Sequence, residues 1–144
     1  MYNLISLVAL LLMGVGAIGL YYTNSLFSYA PMIIALQALA VALMIWARIT
    51  FGFRSFHAAA DPTEGELVTN GPYRFVRHPI YTAICLFVFA GALSHISLTA
   101  ALLTLLTFSG ALVRMFSEEY VLTRQYSGYR DYAVKVKRMI PFVF

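Results

Sequence analysis

The sequence predicts an all-α integral-membrane protein with four transmembrane helices, the last two forming a tight hairpin, and a C-terminal amphipathic helical segment at the cytoplasmic surface. Three observations carry that prediction. Of 144 residues, 61% are hydrophobic and only 11% are charged, with a mean hydropathy of +0.79, which is far from the make-up of an ordinary soluble domain. The apolar residues gather into four runs, at about residues 4–22, 30–49, 80–93 and 97–113. All 10 Lys and Arg fall in or at the edge of two stretches, the loop at 50–79 and the tail at 114–144. With four spans, those two stretches and the N-terminus share one side. The positive-inside rule puts that side in the cytoplasm. The whole chain, 1–144, reads as a single membrane domain, at the inner or plasma membrane of a prokaryote.

Each element has its own signature. The run from Leu4 to Tyr22 carries no charge and, at about 19 residues, is long enough for a hydrocarbon core of about 30 Å. Gly14, Gly16, Ala17 and Gly19 leave room for a close helix neighbour, and Tyr21 and Tyr22 form an interfacial aromatic pair. No basic n-region precedes this run and no A-x-A-like site closes it, so it reads as a retained span. Pro31 opens the second run, where Ala35, Ala38 and Ala42 suggest a small-residue packing face and Trp46 and Arg48 mark the far interface. The third run begins at Pro79, a residue welcome in a first helical turn. It is short for a full crossing. Only Ser94-His95-Ile96-Ser97 separates it from the fourth run, hence the hairpin. After Arg114 the residues Phe116, Tyr120, Tyr126, Tyr129, Ala133 and Val136 recur near helical spacing among charges. That pattern suits a segment lying along the membrane surface, broken near Ser127-Gly128 and ended before Pro141.

Composition also excludes function classes. The net charge of +4 comes from residues flanking apolar runs, which fits anionic lipid better than nucleic acid. One cysteine, Cys85, allows no intramolecular disulfide and no metal cluster. There is no phosphate-binding glycine loop, HExxH, CxxC or nucleophile elbow, so metal hydrolysis and acyl-enzyme chemistry have no support. His95 suits a solvated turn and His57 a loop position, in a first half of the loop (Ala58 to Gly65) that looks mobile.

Two polar clusters remain. In the loop, Tyr73, Arg77, His78 and Tyr81 lie at the mouth of the third run, where free N–H groups and the positive dipole end favour anions. After the last span come Arg114, Glu118 and Glu119, with Arg114 and Glu118 sharing a helix face at a spacing of four. The hairpin leaves and returns on one side, so both clusters emerge within reach of one another. Taken singly, each has a plainer explanation: a positively charged surface loop, and a surface salt bridge.

The stretch Gly71-Pro-Tyr-Arg-Phe-Val-Arg-His-Pro-Ile-Tyr81 resembles the G-x-Y-x-x-x-R-H-P-x-Y motif of the isoprenylcysteine carboxyl methyltransferase family and its phospholipid methyltransferase relatives. The tail is similar to the second motif of that family: Arg114, Glu118-Glu119, Leu122, Tyr126, Tyr129, Tyr132, Arg138 and Ile140-Pro141. The resemblance covers Leu67 to Phe144. Ala83 stands where the family usually has glycine, and Tyr126-Ser127 replaces its Phe-Gly.

The resemblance implies an S-adenosyl-L-methionine-dependent membrane methyltransferase that leaves S-adenosyl-L-homocysteine as product. It implies that Leu67, Val68, Tyr73, His78, Pro79, Tyr81 and Glu118 bind the cofactor, with no metal. Arg114 and Glu118 would be the catalytic pair, and Arg114 with Arg77 would meet the substrate. The acceptor would be a lipidic or amphiphilic carboxylate. Such an acceptor is already ionised and needs no general base; the protein has only to align it and exclude water. Three alternatives stay open. A phosphoethanolamine N-methyltransferase would need a base, from His78 or a glutamate. A non-enzymatic four-helix membrane protein would more often place an ionisable residue inside a span, and neither of the first two runs has one in its interior. A reductase of similar architecture is the most remote.

Overall fold

The computed structural model describes residues 2–52 and 66–144. Arg54, His57, Asp61 and Glu64, with the expected mobile half of the loop, lie outside the described residues. Among those described the structure is helical: α1 (Tyr2–Tyr22), α2 (Pro31–Phe51), a 3-10 turn (Gly71–Arg74), α3 (Pro79–Leu93), α4 (Leu98–Gln125) and α5 (Tyr129–Lys135). Three of these, α1, α2 and α4, are long and apolar enough to cross a membrane. The expected third span, α3, has 15 residues. At about 1.5 Å per residue it reaches about 22 Å, short of the hydrocarbon thickness.

Packing of α1 on α4 follows from two matched stripes. On α1 the buried positions are Ser6, Ala9, Met13, Gly16 and Leu20, alternating three and four apart, as a helix seam requires. On α4 they include Ala100, Thr104, Thr107, Gly110, Ala111 and Arg114. The backbones meet closely because two glycines carry no side chain. A Cβ on Gly16 would overlap the Thr107 hydroxyl, and one on Gly110 would sit 2.6 Å from the Ala9 carbonyl oxygen. Small residues let apolar helices gain dispersion contact in the absence of water. The lipid-facing residues, such as Leu4, Leu11 and Ile18, stay exposed.

The second helix packs on α3, and here the expected face is wrong. Ala35, Ala38 and Ala42 are exposed, whereas Gln37, Ala40 and Ala47 are buried. Gln37 decides the rotation. Its amide nitrogen donates to the Leu26 carbonyl at 2.7 Å and the Phe87 carbonyl at 3.3 Å, partners that an amide in an apolar layer needs.

The tail also differs from expectation. Arg114 does not begin a separate surface helix, because α4 runs unbroken to Gln125. Nothing from Arg114 to Gln125 interrupts a helix, and the first glycine after them is Gly128. The inner face of α4 therefore carries the stripe straight into Arg114. Past the turn, α5 leads to an extended strip that pairs with the loop. Val76 and Lys137 form a parallel bridge, the Arg77 amide donates to the Lys137 carbonyl at 2.7 Å, and the His78 amide donates to the Arg138 carbonyl at 2.9 Å. The Thr82 hydroxyl continues the seam, donating to the Met139 carbonyl at 2.9 Å.

Candidate active site

The site is built where the 3-10 turn, the start of α3, the end of α4 and the tail converge. Gly71 opens the turn at φ 56°, and a Cβ there would lie 2.6 Å from the Thr50 hydroxyl of α2. A residue with a side chain is therefore excluded twice, by conformation and by space. The turn buries Tyr73 against Phe51, ring centroids 5.5 Å apart, while the Tyr73 carbonyl accepts from the Tyr132 hydroxyl. Burial first, then the Glu118 carboxylate, pushes the Tyr73 phenol well above its usual range, so it stays protonated as a donor. Pro79 then starts α3, with His78 as its cap residue at φ -125° and ψ 58°.

From α4, the two neighbouring carboxylates point into different surroundings, since successive helix residues are about 100° apart. Glu118 accepts from the Tyr81 hydroxyl at 2.5 Å and lies 3.3 Å from Arg114 Nε. Arg114 Nε also donates to the Tyr81 oxygen at 2.6 Å, and Nη1 reaches the Ser6 carbonyl of α1 at 3.4 Å. Arg114 is 5% exposed. The Glu118 side chain keeps 25% of its surface.

Glu119 is a hub. Arg77 grips its Oε1 with Nε at 3.0 Å and Nη2 at 2.6 Å. His78 Nε2 lies 3.3 Å from the same oxygen, and Arg138 Nε donates to Oε2 at 3.0 Å. The remaining Arg77 nitrogen, Nη1, donates to the carbonyls of Ala133 and Val136, both at 2.6 Å. Thus Arg77, expected to meet substrate, has protein partners at every guanidinium nitrogen. Its planar fork ties loop, α4 and tail together.

The structure thus brings Tyr81, Arg114 and Glu118 into direct contact and stands His78 between the two carboxylates, its Nδ1 3.8 Å from Glu118. Leu67 and Val68 are half-buried in the irregular chain leading to the turn; among the described residues neither hydrogen-bonds to this cluster. Sequence reasoning missed how much Glu119, Thr82 and the tail carbonyls do. The signal was a surplus: the loop and tail offered Arg77, His78 and Arg138 around one glutamate left without a role.

The comparisons with known proteins fall on the same region. The chain is 38% identical over 82 residues to the nickel-cobalt-cadmium resistance protein NccN of Alcaligenes xylosoxydans xylosoxydans, a match spanning 53% of this chain and 36% of that protein, little more than a third of its length. Among the described residues here, no group of three or more His, Cys, Asp or Glu is placed to hold a metal ion. No solved structure matches the chain. The family model for phospholipid methyltransferases matches residues 25–128, from within the α1–α2 connection through the whole of α4. On that match, the chain belongs to the phospholipid methyltransferase family of membrane proteins.

Proposed function

We propose that this protein transfers a methyl group from S-adenosyl-L-methionine to the carboxylate of a lipidic amphiphile at the membrane edge. One observation carries the choice of acceptor: a guanidinium, Arg114, buried at the inner end of the bundle beside a partly open carboxylate, Glu118. A buried cation next to apolar helices suits an anionic group on a lipid. The donor set around Glu118 suits the cofactor, since a carboxylate among Tyr73, His78 and Tyr81 can accept from hydroxyls and face positive charge. When bound, the cofactor supplies a methyl group on a positively charged sulfur and is left as S-adenosyl-L-homocysteine.

In this reading Glu118 holds the cofactor, and the aromatic Tyr73 and Tyr81 wall its pocket. Leu67 and Val68 provide backbone contacts, and Pro79 fixes the start of α3. Arg114 orients the acceptor carboxylate, with Tyr81 linking it to Glu118. Arg77 braces the site through Glu119 and does not touch substrate. The acceptor oxygen forms its bond to the methyl carbon as the carbon–sulfur bond breaks, and sulfur keeps the electron pair. No proton moves.

The family match favours a second reading, N-methylation of a phosphoethanolamine head group. That acceptor is an ammonium and must lose a proton before attack; in this reading the proton goes to His78, which lies 3.8 Å from Glu118 and 3.3 Å from Glu119. One experiment tests both: incubation of the purified protein with a methyl-labelled cofactor and a lipid extract, followed by mild alkaline hydrolysis. Label released by base identifies an ester and supports the carboxylate acceptor. Label that survives in the head group selects the amine reading, and no transfer by folded protein sinks both.

A further inference from the structure

On the tail side of Glu119 the structure holds a second concavity, of about 490 Å³, between the end of α4, α5 and the C-terminal turn. Its charged lining is Arg77, Arg130, Lys137 and Arg138 against the single carboxylate Glu119. Arg77 and Arg138 both bind that carboxylate, so Arg130 and Lys137, exposed at the mouth, face it with no carboxylate of their own among the described residues. The floor has a second polar feature. Tyr129 is 3% exposed; its hydroxyl sits against the Arg77 guanidinium and has no acceptor for its proton among the described residues. A buried hydroxyl of this kind is costly unless something accepts from it.

The rim is apolar. Val134 is 82% exposed and Phe142 93% exposed, and Val134, Val143 and Phe144 line the cavity edge. Such residues beside unpaired cations suit a membrane surface, with alkyl contact and phosphate contact side by side.

We infer that this concavity seats the phosphate of an anionic phospholipid, with Arg130 and Lys137 at the phosphate, the Tyr129 hydroxyl donating from below, and the acyl chain laid over Val134 and Val143. The site is separate from the Glu118 cluster and does not depend on methyl transfer. The lipid source is favoured over a soluble phosphate by the rim, since a free anion gains nothing from exposed Val134 and Phe142.

The test uses the full chain in nanodiscs of phosphatidylcholine containing a minor fraction of phosphatidylglycerol, with co-purified lipid counted by native mass spectrometry. The wild type should retain phosphatidylglycerol over phosphatidylcholine by about 25-fold, and Arg130→Gln/Lys137→Gln should lose most of that preference, each cation contributing roughly fivefold. High salt should weaken retention only partly, because the phosphate is half-enclosed. A double variant that unfolds at the wild-type temperature yet retains the lipid equally would overturn the site. Displacement by soluble glycerol phosphate at matched concentration would overturn the lipid assignment. Should the double variant fail to fold, Arg130→Gln alone carries the same comparison.

Discussion

Glu118 and Glu119 are neighbours in one helix, yet they face opposite tasks. Glu119 is 12% exposed and held by Arg77, His78 and Arg138; Glu118 keeps 25% of its surface and meets Tyr81 and Arg114. The difference lies in how completely each carboxylate is answered by the protein. A carboxylate enclosed by cations joins elements together, and removing it strands buried charge. One with open surface still has acceptor capacity for a ligand. The contrast separates scaffold from site within a single turn of helix, which no count of charges would do.

Substitution at the two positions should sharpen this contrast, and the largest effect belongs to the hub. Glu119→Gln leaves the buried Arg77 guanidinium without its counter-charge, so thermal unfolding in detergent should show a loss of about 3–5 kcal/mol. Glu118→Gln should cost less, about 1–2 kcal/mol, because the buried Arg114 loses one counter-charge but Glu118 itself keeps a quarter of its surface in contact with solvent. Equal losses at both positions would erase the distinction.

Next in size is the ligand side. Calorimetry should find that Glu118→Gln weakens binding of S-adenosyl-L-methionine by about 1–3 kcal/mol, the worth of a charge-assisted hydrogen bond. Arg114→Lys should leave that affinity nearly intact but slow turnover by about tenfold or more, because an ammonium cannot reproduce the fork. If Arg114→Lys instead abolished cofactor binding while saturated turnover stayed normal, the two roles would be reversed.

The smallest effect tests the tail clamp. Tyr132→Phe removes the hydrogen bond to the Tyr73 carbonyl and should cost about 1 kcal/mol. Burial pushes the Tyr132 phenol up, with Arg77 opposing, so the folded protein favours the protonated form. That contribution is fully present below the unfolded value of about 10 and is lost as pH rises from there through the folded one. The stability gap between wild type and variant should therefore be flat from about pH 6 to 9 and narrow above about 10. A gap that widened there would contradict the assignment.

Much of the fold was legible residue by residue. The uncharged run ending at Tyr21-Tyr22, Pro31 and Pro79 as helix openers, and Ser94–Ser97 as the hairpin turn all stand in the structure as read. Two errors have a common cause. Ala35, Ala38 and Ala42 looked like a packing face, and Arg114 looked like the start of a tail segment separate from the fourth span, because small or charged residues were judged one at a time. Alanine is equally at home against lipid, and a charge ends a span without ending a helix. Gln37, a polar group needing carbonyl partners, was the better guide to rotation.

What the sequence by itself determined is therefore local and periodic: where helices begin, how long they run, and that Arg77-His78 and Arg114/Glu118-Glu119 emerge on one side. These follow from hydropathy, turn chemistry and spacing along the chain. Only the tertiary structure decided which of two adjacent glutamates would be a brace and which would be left open. That depends on where the tail returns: the carbonyls of Ala133, Val136, Lys137 and Arg138 take up Arg77 and the start of α3. Backbone carbonyls have no signature in sequence, since every residue carries one. Their placement is a property of the fold alone.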